Sequence, residues 1–359
     1  MERELRLLSA TAIEDRLQDG VPETIADLKL AGIKIWVATS DKLETAIAIG
    51  RSTNLIAEES NILIIHNSDR PVQQQMIQAV EEFFPDSGIL DEHGLVTCAP
   101  KSPSTESSSS FPMRRLSMGV RDIVGDDNGD RPGGFVLVID GAALDHALSD
   151  DDHKALLLRL ATQCEGVVCC RVSPLQKVFV VRMVKDGLGV MTLAIGDGAN
   201  NVSMIQAADV GVGIGGEEGL QAVNSSDYAI AQFQFLKKLL LVHGHWSYAR
   251  NGIMIVNFFY KNIVCIGVLW WFQMYCGWSS AYAFEYTYLL FWNSFWMIAP
   301  VLGIGLFDRI VDADVLMAFP ELYRYGRERT WFSMKSFFIY MLDRVVQVRC
   351  IFPQVVSAP

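Results

Sequence analysis

The stretch VMTLAIGDGANN, residues 190–201, decides the fold of this chain. Its first six residues form a short apolar run typical of a buried strand, and the Gly-Asp-Gly turn after it leads into a helical pattern. A carboxylate at the carboxyl end of a parallel strand points into the crevice where such sheets bind ligands. Asp197 therefore indicates an Mg²⁺ site shared with phosphate, because Mg²⁺ prefers hard oxygen ligands. The alternative is an ordinary strand-to-helix turn with Asp197 as its N-cap.

Four similar runs precede or follow this stretch, and helical patterns separate them. Because strands that alternate with helices form parallel sheets, this part of the chain is predicted to be α/β, with helices covering a mostly parallel sheet. Ser173-Pro174 predicts one helix start, and Gly187 or Gly189 predicts the end of that helix. The four runs lie at residues 33–37, 135–139, 167–172 and 210–214.

Two further polar sites follow strands of the same predicted sheet. Thr39, Ser40 and Asp41 offer hydroxyls and free backbone N–H groups that can bind phosphate at a helix start, although N-capping explains them equally. Arg171 begins the stretch RVSPLQK, whose Lys177 falls in a first helical turn, where the helix dipole disfavours a cation. A bound phosphoryl group would offset that cost, and the alternative is a solvated surface lysine. All three sites are predicted to meet in one crevice.

One segment interrupts the α/β pattern. Residues 98–133 are rich in serine, proline and glycine and lack an apolar period. This composition predicts a disordered insertion or a long surface loop, open to phosphorylation or simply tolerated.

The amino-acid composition of the chain changes near residue 252. Residues 252–276 are mostly apolar, and residues 286–307 contain no charge. Twenty-two helical residues span about 33 Å, enough to cross the hydrocarbon core. Basic residues flank the pair, whereas the link Gly277–Glu285 has none, so the positive-inside rule places both outer ends in the cytosol. A mean hydropathy of +0.23 agrees with a membrane part.

Two polar residues inside these spans are candidates for function. Lys261 lies about ten residues into the first apolar stretch, where a lysine costs roughly 2.5–3.5 kcal/mol on insertion scales. Asn293 of the second span could face it, and snorkelling of Lys261 to the interface is the alternative. Pro300 is expected to break the helical hydrogen-bond ladder nearby.

Charge and cysteine content exclude other classes of protein. A net charge of −11 argues against a general nucleic-acid binder, because phosphate backbones require excess Lys and Arg. Seven cysteines without a C-x-x-C pair exclude a disulfide scaffold and a zinc ribbon. The first residues, Met-Glu-Arg-Glu, lack the apolar core of a signal peptide.

Several of these stretches also resemble the phosphorylation domain of P-type ATPases of the phospholipid-flippase class. The membrane pair, with FYKN at 259–262 and FWN at 291–293, resembles the fifth and sixth transmembrane helices of that class. The resemblance covers roughly residues 5–342 apart from the serine-rich insertion, and after about Asp343 the tail no longer looks similar. The stretches that carry it in the α/β part are residues 7–24, 34–37, 171–177 and 196–227.

The resemblance implies a haloacid-dehalogenase-like fold and ATP-driven movement of a phospholipid from the outer to the cytosolic leaflet. It implies ATP as substrate, Mg²⁺ as cofactor and phospholipid as the transported partner. An accessory subunit of the flippase is a further possible partner. Asp197 and Asn201 match magnesium positions, and Lys261 and Asn293 match positions near the lipid path. The positions that match nucleotide contacts are Thr39, Ser40, Asp41, Arg171, Lys177, Asn200 and Asn201.

The chain also departs from that family. The phosphorylated aspartate motif D-K-T-G-T is absent from the 359 residues, and the usual T-G-D and G-D-G-A-N-D read Thr39-Ser40-Asp41 and GDGANN here. Asn201 keeps an oxygen but loses the charge that Mg²⁺ prefers. Because an aspartyl-phosphate needs its nucleophile, the chain alone is expected not to turn over.

These observations predict a C-terminal-side fragment, or a degenerate copy, of a phospholipid-transporting ATPase. The rival from another class is a non-catalytic, membrane-anchored pseudoenzyme that binds a full-length pump; a membrane-tethered phosphatase is weaker, since it too lacks the nucleophile. The predicted organisation is a phosphorylation domain at 1–235, a stalk at 236–251, a transmembrane hairpin at 252–307, and a cytosolic segment with the truncated start of a third span at 308–359.

Overall fold

The computed structural model describes residues 17–67, 70–89, 128–129, 131–216, 220–330 and 332–356. The chain forms two compact units. One comprises Met1–Lys29 and Ile33–Leu236, and the other comprises Leu30–Gly32 and Lys237–Pro359.

Strands and helices alternate through the first unit, as the sequence predicts. The predicted runs at 33–37, 135–139, 167–172, 190–195 and 210–214 all contain strands. Two further strands, β2 and β7, were not predicted. The elements are α1 Val21–Leu30, β1 Ile35–Ala38, α2 Leu43–Ser52, β2 Asn61–Ile65, α3 Val72–Phe83, β3 Phe135–Asp140, α4 Gly141–Leu148, α5 Asp151–Gln163, β4 Gly166–Cys170, α6 Pro174–Leu188, β5 Leu193–Gly196, α7 Val202–Ala207, β6 Val210–Ile214, α8 Gln221–Asn224 and β7 Tyr228–Ile230.

Every strand pairing among the described residues is parallel. Four strands form one sheet in the order β1-β4-β3-β2, and three form another in the order β5-β6-β7. Parallel strands end at the same edge of a sheet, so the loops after β1, β3 and β4 lie side by side. A parallel α/β architecture is therefore confirmed. The single predicted sheet was wrong, because β5, the strand before Asp197, pairs with β6 in the three-stranded sheet and with no described strand of the other sheet.

Helices cover both faces of the four-stranded sheet, because successive strand residues point to opposite faces. Leu137 and Ile139 of β3 belong to one apolar cluster with α3, α4, α5 and α6. Val136 and Val138 of the same strand belong to a second cluster with α2. The sheet is thus the middle layer of three, as its continuous apolar strands require.

The outer edge of β2 is covered by side chains rather than by another strand. Asn128 is buried, accepts from the Ile62 backbone N–H at 2.7 Å and donates to the Ile62 carbonyl at 3.0 Å. The Asn61 side chain in turn accepts from the Gly129 N–H at 2.6 Å and donates to the Gly133 carbonyl at 3.0 Å. These bonds satisfy edge groups that would otherwise invite another chain. Most of the predicted insertion at 98–133 lies outside the described residues, and its final residues form this cover.

The sequence signals for α6 are confirmed. Ser173 and Gln176 form a reciprocal capping box: the Ser173 hydroxyl accepts from the Gln176 N–H at 3.3 Å, and the Gln176 amide oxygen accepts from the Ser173 N–H at 2.7 Å. Pro174 occupies the first turn. Gly189, with φ of 60°, ends the helix in the left-handed conformation.

The second unit is helical in its described part. Two stretches of the chain are long and apolar enough to cross a membrane, Phe235–Tyr275 and Tyr286–Phe307. In the first, a π-helix lies within the predicted stalk, and α10 runs on without a break from the stalk into the first predicted span. The elements are α9 Phe235–Lys238, a π-helix Leu239–Gly244, α10 His245–Tyr275, α11 Tyr286–Phe291, a π-helix Trp292–Trp296, α12 Ile298–Phe307, α13 Ala313–Ala318, α14 Tyr323–Arg327 and α15 Met334–Val356.

The second candidate span is interrupted in its middle, close to the expected break at Pro300. The π-helix Trp292–Trp296 separates α11 from α12, and Met297 donates to the Trp292 carbonyl at 3.0 Å. Pro300 falls in the first turn of α12, where a missing N–H is tolerated.

The last helix, α15, runs through Asp343 without a break. Gln347 joins its polar residues, because its amide donates to Asp343 at 2.9 Å and accepts from Arg344 at 2.6 Å. The Arg344 guanidinium also lies 4.4 Å from the ring centre of Tyr260 on α10. Since these groups satisfy one another at helical spacing, the polar stretch continues the helix.

Candidate functional site

The loops that follow β1 and β4 are held together by their backbones. The Thr39 N–H donates to the Cys169 carbonyl at 2.9 Å, and the Val172 N–H donates to the Thr39 carbonyl at 3.1 Å. Arg171, whose φ is 53°, donates its N–H to the Asp41 carbonyl at 2.9 Å. The crevice edge therefore carries both predicted loops at fixed spacing.

Within the first loop, side chains and backbone form a closed turn. The Thr39 hydroxyl donates to the Asp41 carboxylate and accepts from the Asp41 N–H at 3.1 Å. Ser40 and Asp41 are exposed at the surface. These bonds form a local turn rather than a helix cap, because α2 begins after Lys42, which makes no side-chain capping bond. Hydroxyl and carboxylate groups thus remain at the edge of the sheet.

Lys177 connects α6 to the loop after β5. It is only 5% exposed, and its Nζ donates to the Asn201 amide oxygen at 3.0 Å. The Asn201 amide nitrogen in turn donates to the Asp197 carboxylate at 3.1 Å. A solvated surface lysine is therefore excluded, and three of the predicted site residues form one hydrogen-bonded chain.

Charge at this point is balanced by two carboxylates. Burial lowers the pKa of Lys177, whereas Asp197 and Asp41 act in the opposite direction and raise it. Because both carboxylates act on the same ammonium group, the loops after β1 and β5 share one site around Lys177.

Because residue 196 is a glycine, the Asn201 side chain can pack directly against the backbone of the turn. A Cβ added to Gly196 would overlap with the Asn201 side chain, so the turn requires a residue without one. Asn200, in contrast, is exposed beside Gly198. The two asparagines thus differ: one is buried in the chain of hydrogen bonds and the other faces outward.

The arrangement fits Mg²⁺ only in part. Asp197 is exposed and offers a carboxylate, but Asn201 turns its nitrogen, not its oxygen, toward that carboxylate. Its oxygen is engaged by Lys177. Within the described ranges, no group of three or more His, Cys, Asp and Glu side chains is arranged to hold a metal ion. The Asn201 amide thus joins the Lys177 ammonium to the Asp197 carboxylate.

The two polar residues of the membrane helices do not meet. Lys261 is 3% exposed on α10, and its Nζ lies 4.8 Å from the ring centre of Phe258. Asn293 lies exposed in the π-helix of the second span. No hydrogen bond joins these two described side chains, so the expected pairing is not present.

Sequence reasoning missed two residues at the crevice. Asp140 ends β3 at the same sheet edge, next to Gly141, and the pattern V-I-D-G after an apolar run was a usable signal. Gln176 is buried, and its amide nitrogen donates to the Gly141 carbonyl at 2.8 Å and to Asp145 at 2.6 Å. Gln176, which precedes Lys177, ties the first turn of α6 to α4; its part in the capping box is readable from the S-x-x-Q spacing, whereas these two bonds follow only from the fold.

Comparison with known proteins places the chain in a family. The family described as phospholipid-translocating P-type ATPase, C-terminal, matches residues 223–357. Phospholipid-transporting ATPase DNF1 of Chaetomium thermophilum is 48% identical over 349 residues, which are 97% of this chain and 21% of that protein. Phospholipid-transporting ATPase DNF2 of Saccharomyces cerevisiae is 46% identical, over 98% of this chain and 21% of its own length. Phospholipid-transporting ATPase VB of Homo sapiens is 42% identical, over 97% and 22%.

The chain belongs to the phospholipid-transporting P-type ATPases. The resemblance seen in the sequence is thereby confirmed, and the chain spans 21–22% of the length of these three relatives. One detail was wrong: the likeness to phospholipid-transporting ATPases does not stop near Asp343, because the family match reaches residue 357. The polar residues after Asp343 are part of α15, where they pair with one another and with Tyr260.

Proposed function

We propose that this chain is the part of a phospholipid-transporting ATPase that holds the transferring phosphoryl group and links it to membrane helices. In the whole protein, ATP hydrolysis through an aspartyl-phosphate would drive a phospholipid from the outer to the cytosolic leaflet. The observation that carries this proposal is the chain Lys177–Asn201–Asp197 beside the Thr39–Asp41 loop, at the carboxyl edge of a parallel α/β unit. A haloacid-dehalogenase-like fold is part of the proposal.

Each site residue has a role in this proposal. Thr39, Ser40 and Arg171 contact the phosphates or the nucleotide, while the Lys177 ammonium stabilises negative charge that develops on the phosphoryl oxygens. Its burial strengthens that effect, because a charge acts further in a low dielectric. Burial lowers the pKa of Lys177, and Asp197 and then Asp41 offset part of that lowering. Asn200, which faces outward, contacts the nucleotide.

Magnesium would be held by Asp197, with Asn201 as the second ligand only after its amide turns over. Bound Mg²⁺ supplies positive charge that neutralises phosphate oxygens. Turning the amide would cost Asn201 both of its present hydrogen bonds. We therefore propose that this chain binds Mg²⁺ weakly.

In the membrane, residues 252–276 and 286–307 would span the bilayer with the α/β unit in the cytosol and Gly277–Glu285 outside. Lys261 and Asn293 would lie on the lipid path, and an accessory subunit could bind. The test is cysteine labelling in intact cells with an impermeant reagent. A cysteine at Ser280 should react and one at Ser333 should not; the opposite pattern contradicts the topology.

The chain is proposed to be inactive alone, since D-K-T-G-T is absent from its 359 residues. The same observation favours a second function, a membrane-anchored pseudoenzyme that binds a full-length pump. Co-expression with such a pump separates the two: a pseudoenzyme should change the amount of phosphoenzyme that forms on the pump.

The phosphate-holding site is tested by equilibrium binding of labelled ATP to the purified full chain in detergent. Lys177→Gln should abolish binding, because it removes the buried cation. Lys185→Gln is the matched control, as Lys185 lies on the same helix but pairs with Asp209 at 2.7 Å. Equal ATP binding by the wild type and Lys177→Gln would contradict the site. A hydroxylamine-sensitive phosphoprotein formed by the chain alone would contradict its inactivity.

A further inference from the structure

A cluster of two arginines and a tryptophan lies in the helical unit, outside the residues discussed so far. The guanidinium carbons of Arg250 and Arg309 lie 5.3 and 5.0 Å from the ring centre of Trp246. Both charges approach the same indole, so they are at most about 10 Å apart. The cluster thus concentrates positive charge at one point.

The cluster joins the beginning of α10 to the end of α12. Trp246 donates its indole N–H to the Val311 carbonyl at 2.8 Å. The Arg250 Nε donates to the Asp308 carbonyl at 2.6 Å. These bonds fix the indole and one guanidinium in place, so the site is formed before any ligand arrives.

Positive charge in the cluster is not balanced by carboxylates within the described residues. Neither arginine forms an ion pair there, although Asp308 and Asp312 are near in sequence. Asp308 presents its backbone carbonyl to Arg250 rather than its carboxylate. Arg309 is exposed and makes no hydrogen bond to a described residue. Most of the ten guanidinium N–H donors therefore remain available.

The position of the cluster matches the membrane surface. Arg250 comes two residues before the apolar stretch that starts at Gly252, and Arg309 comes two residues after the end of α12. The last residue of that helix, Phe307, is 79% exposed, as expected of a side chain that contacts lipid. Tryptophan and arginine are both typical of the level at which lipid headgroups lie.

We propose that Trp246, Arg250 and Arg309 form a binding site for the phosphate group of an anionic phospholipid. The planar guanidinium groups match phosphate oxygens two donors at a time. A net-negative headgroup is favoured over a zwitterionic one, because neither arginine forms an ion pair with a carboxylate in the part of the chain that the structure describes. Which leaflet holds the lipid rests on the proposed topology, which places this site in the cytosolic leaflet; binding itself does not depend on it.

The test is native mass spectrometry of the full chain in detergent micelles, titrated with phosphatidylserine or phosphatidylcholine. Phosphatidylserine should bind first and more tightly. Arg309→Gln should weaken its first binding step about fivefold, as expected for one basic residue near a membrane surface, and weaken phosphatidylcholine binding by a smaller factor. Arg309→Lys, which keeps the charge but loses the planar fork, should give an intermediate affinity. Folding is preserved in these variants, since Arg309 is exposed.

The matched control is Arg329→Gln, which removes the same charge from another exposed arginine of this unit and should leave phosphatidylserine affinity unchanged. An equal loss in Arg329→Gln, or no loss in Arg309→Gln, would overturn the site. Excess inorganic phosphate should not displace the lipid; if it does, the cluster binds free anions and the lipid proposal is wrong. In a micelle the added lipid reaches both ends of the membrane helices. A failure of the proposed topology or of ATP binding would therefore leave this result unaltered.

Discussion

Two buried lysines, one in each unit, show how differently the two parts of this protein treat charge. Lys177 is 5% exposed and donates to Asn201, with Asp197 and Asp41 acting on it. Lys261 is 3% exposed, but its only described partner is the ring of Phe258. In the α/β unit the buried lysine is hydrogen-bonded in a polar network. In the helical unit the buried lysine packs against an aromatic ring instead.

The same contrast extends to apolar side chains. Large apolar residues of the α/β unit fill two clusters on either face of its sheet. Those of the candidate spans point outward, and Phe307 is the clearest example. One unit is organised by removing apolar surface from water, and the other by presenting that surface to lipid.

The largest effect should come from truncating equivalent leucines in the two units. Leu137→Ala removes a side chain that is 0% exposed in β3, so it should lower the free energy of unfolding by about 2–5 kcal/mol. Leu302→Ala, at a position 50% exposed in α12, should change it by less than about 0.5 kcal/mol. Thermal melts and residue-resolved hydrogen exchange of the full chain in detergent measure both. Equal losses would remove the contrast between the units.

A second test sharpens the proposal that Asn201 makes Mg²⁺ binding weak. Asn201→Asp adds a carboxylate beside Asp197, so Mg²⁺ with a phosphate analogue should bind more tightly by about 1–3 kcal/mol, or roughly five- to 150-fold. Asp197→Asn should abolish the remaining binding. Titration calorimetry on the full chain measures these affinities.

Asn200→Asp is the control for that experiment, because it adds the same charge at the neighbouring, exposed position. If Asn201→Asp leaves the Mg²⁺ affinity unchanged while Asp197→Asn removes it, position 201 is structural and Asp197 alone binds the metal.

A smaller effect concerns packing between two helices of the second unit, α10 and α15. A Cβ at Gly267 of α10 would lie 3.1 Å from a Val348 methyl group of α15, so Gly267→Ala should cost about 1 kcal/mol through overpacking. Gly303→Ala is the control, since nothing lies within 4 Å of its Cβ. Thermal unfolding in detergent compares them. Identical melting temperatures would mean that α15 does not pack closely on α10.

The sequence predicted most strands of the α/β unit because their apolar runs are bounded by turn residues. It missed β2, although Asn61–Ile65 contains four consecutive apolar residues, because such a run alone does not distinguish strand from helix. The residue that covers its edge, Asn128, lies 66 positions from Ile62 and carries no local signal. The continuation of α15 was missed because Asp343 and Arg344 suggest a polar end, whereas their pairing depends on helical spacing.

For the site, the sequence correctly placed the loops after β1 and β4 at one sheet edge, but it wrongly assigned the loop after β5 to the same sheet. It also did not show how the side chains pair. Lys177 and Asn201 are 24 residues apart, and their hydrogen bond depends on where α6 lies against the loop after β5. The sequence favoured Asn201 as a weakened metal ligand. Its orientation, with nitrogen toward Asp197 and oxygen toward Lys177, follows only from the three-dimensional arrangement.

The asparagine cover on β2 has a consequence for how this protein behaves at high concentration. Asn128 occupies the N–H and C=O groups of Ile62 that an added strand would use, so the outer edge of the sheet offers no template at this point for pairing between copies of the chain. A change at Asn128 would expose these groups and favour self-association through the sheet edge.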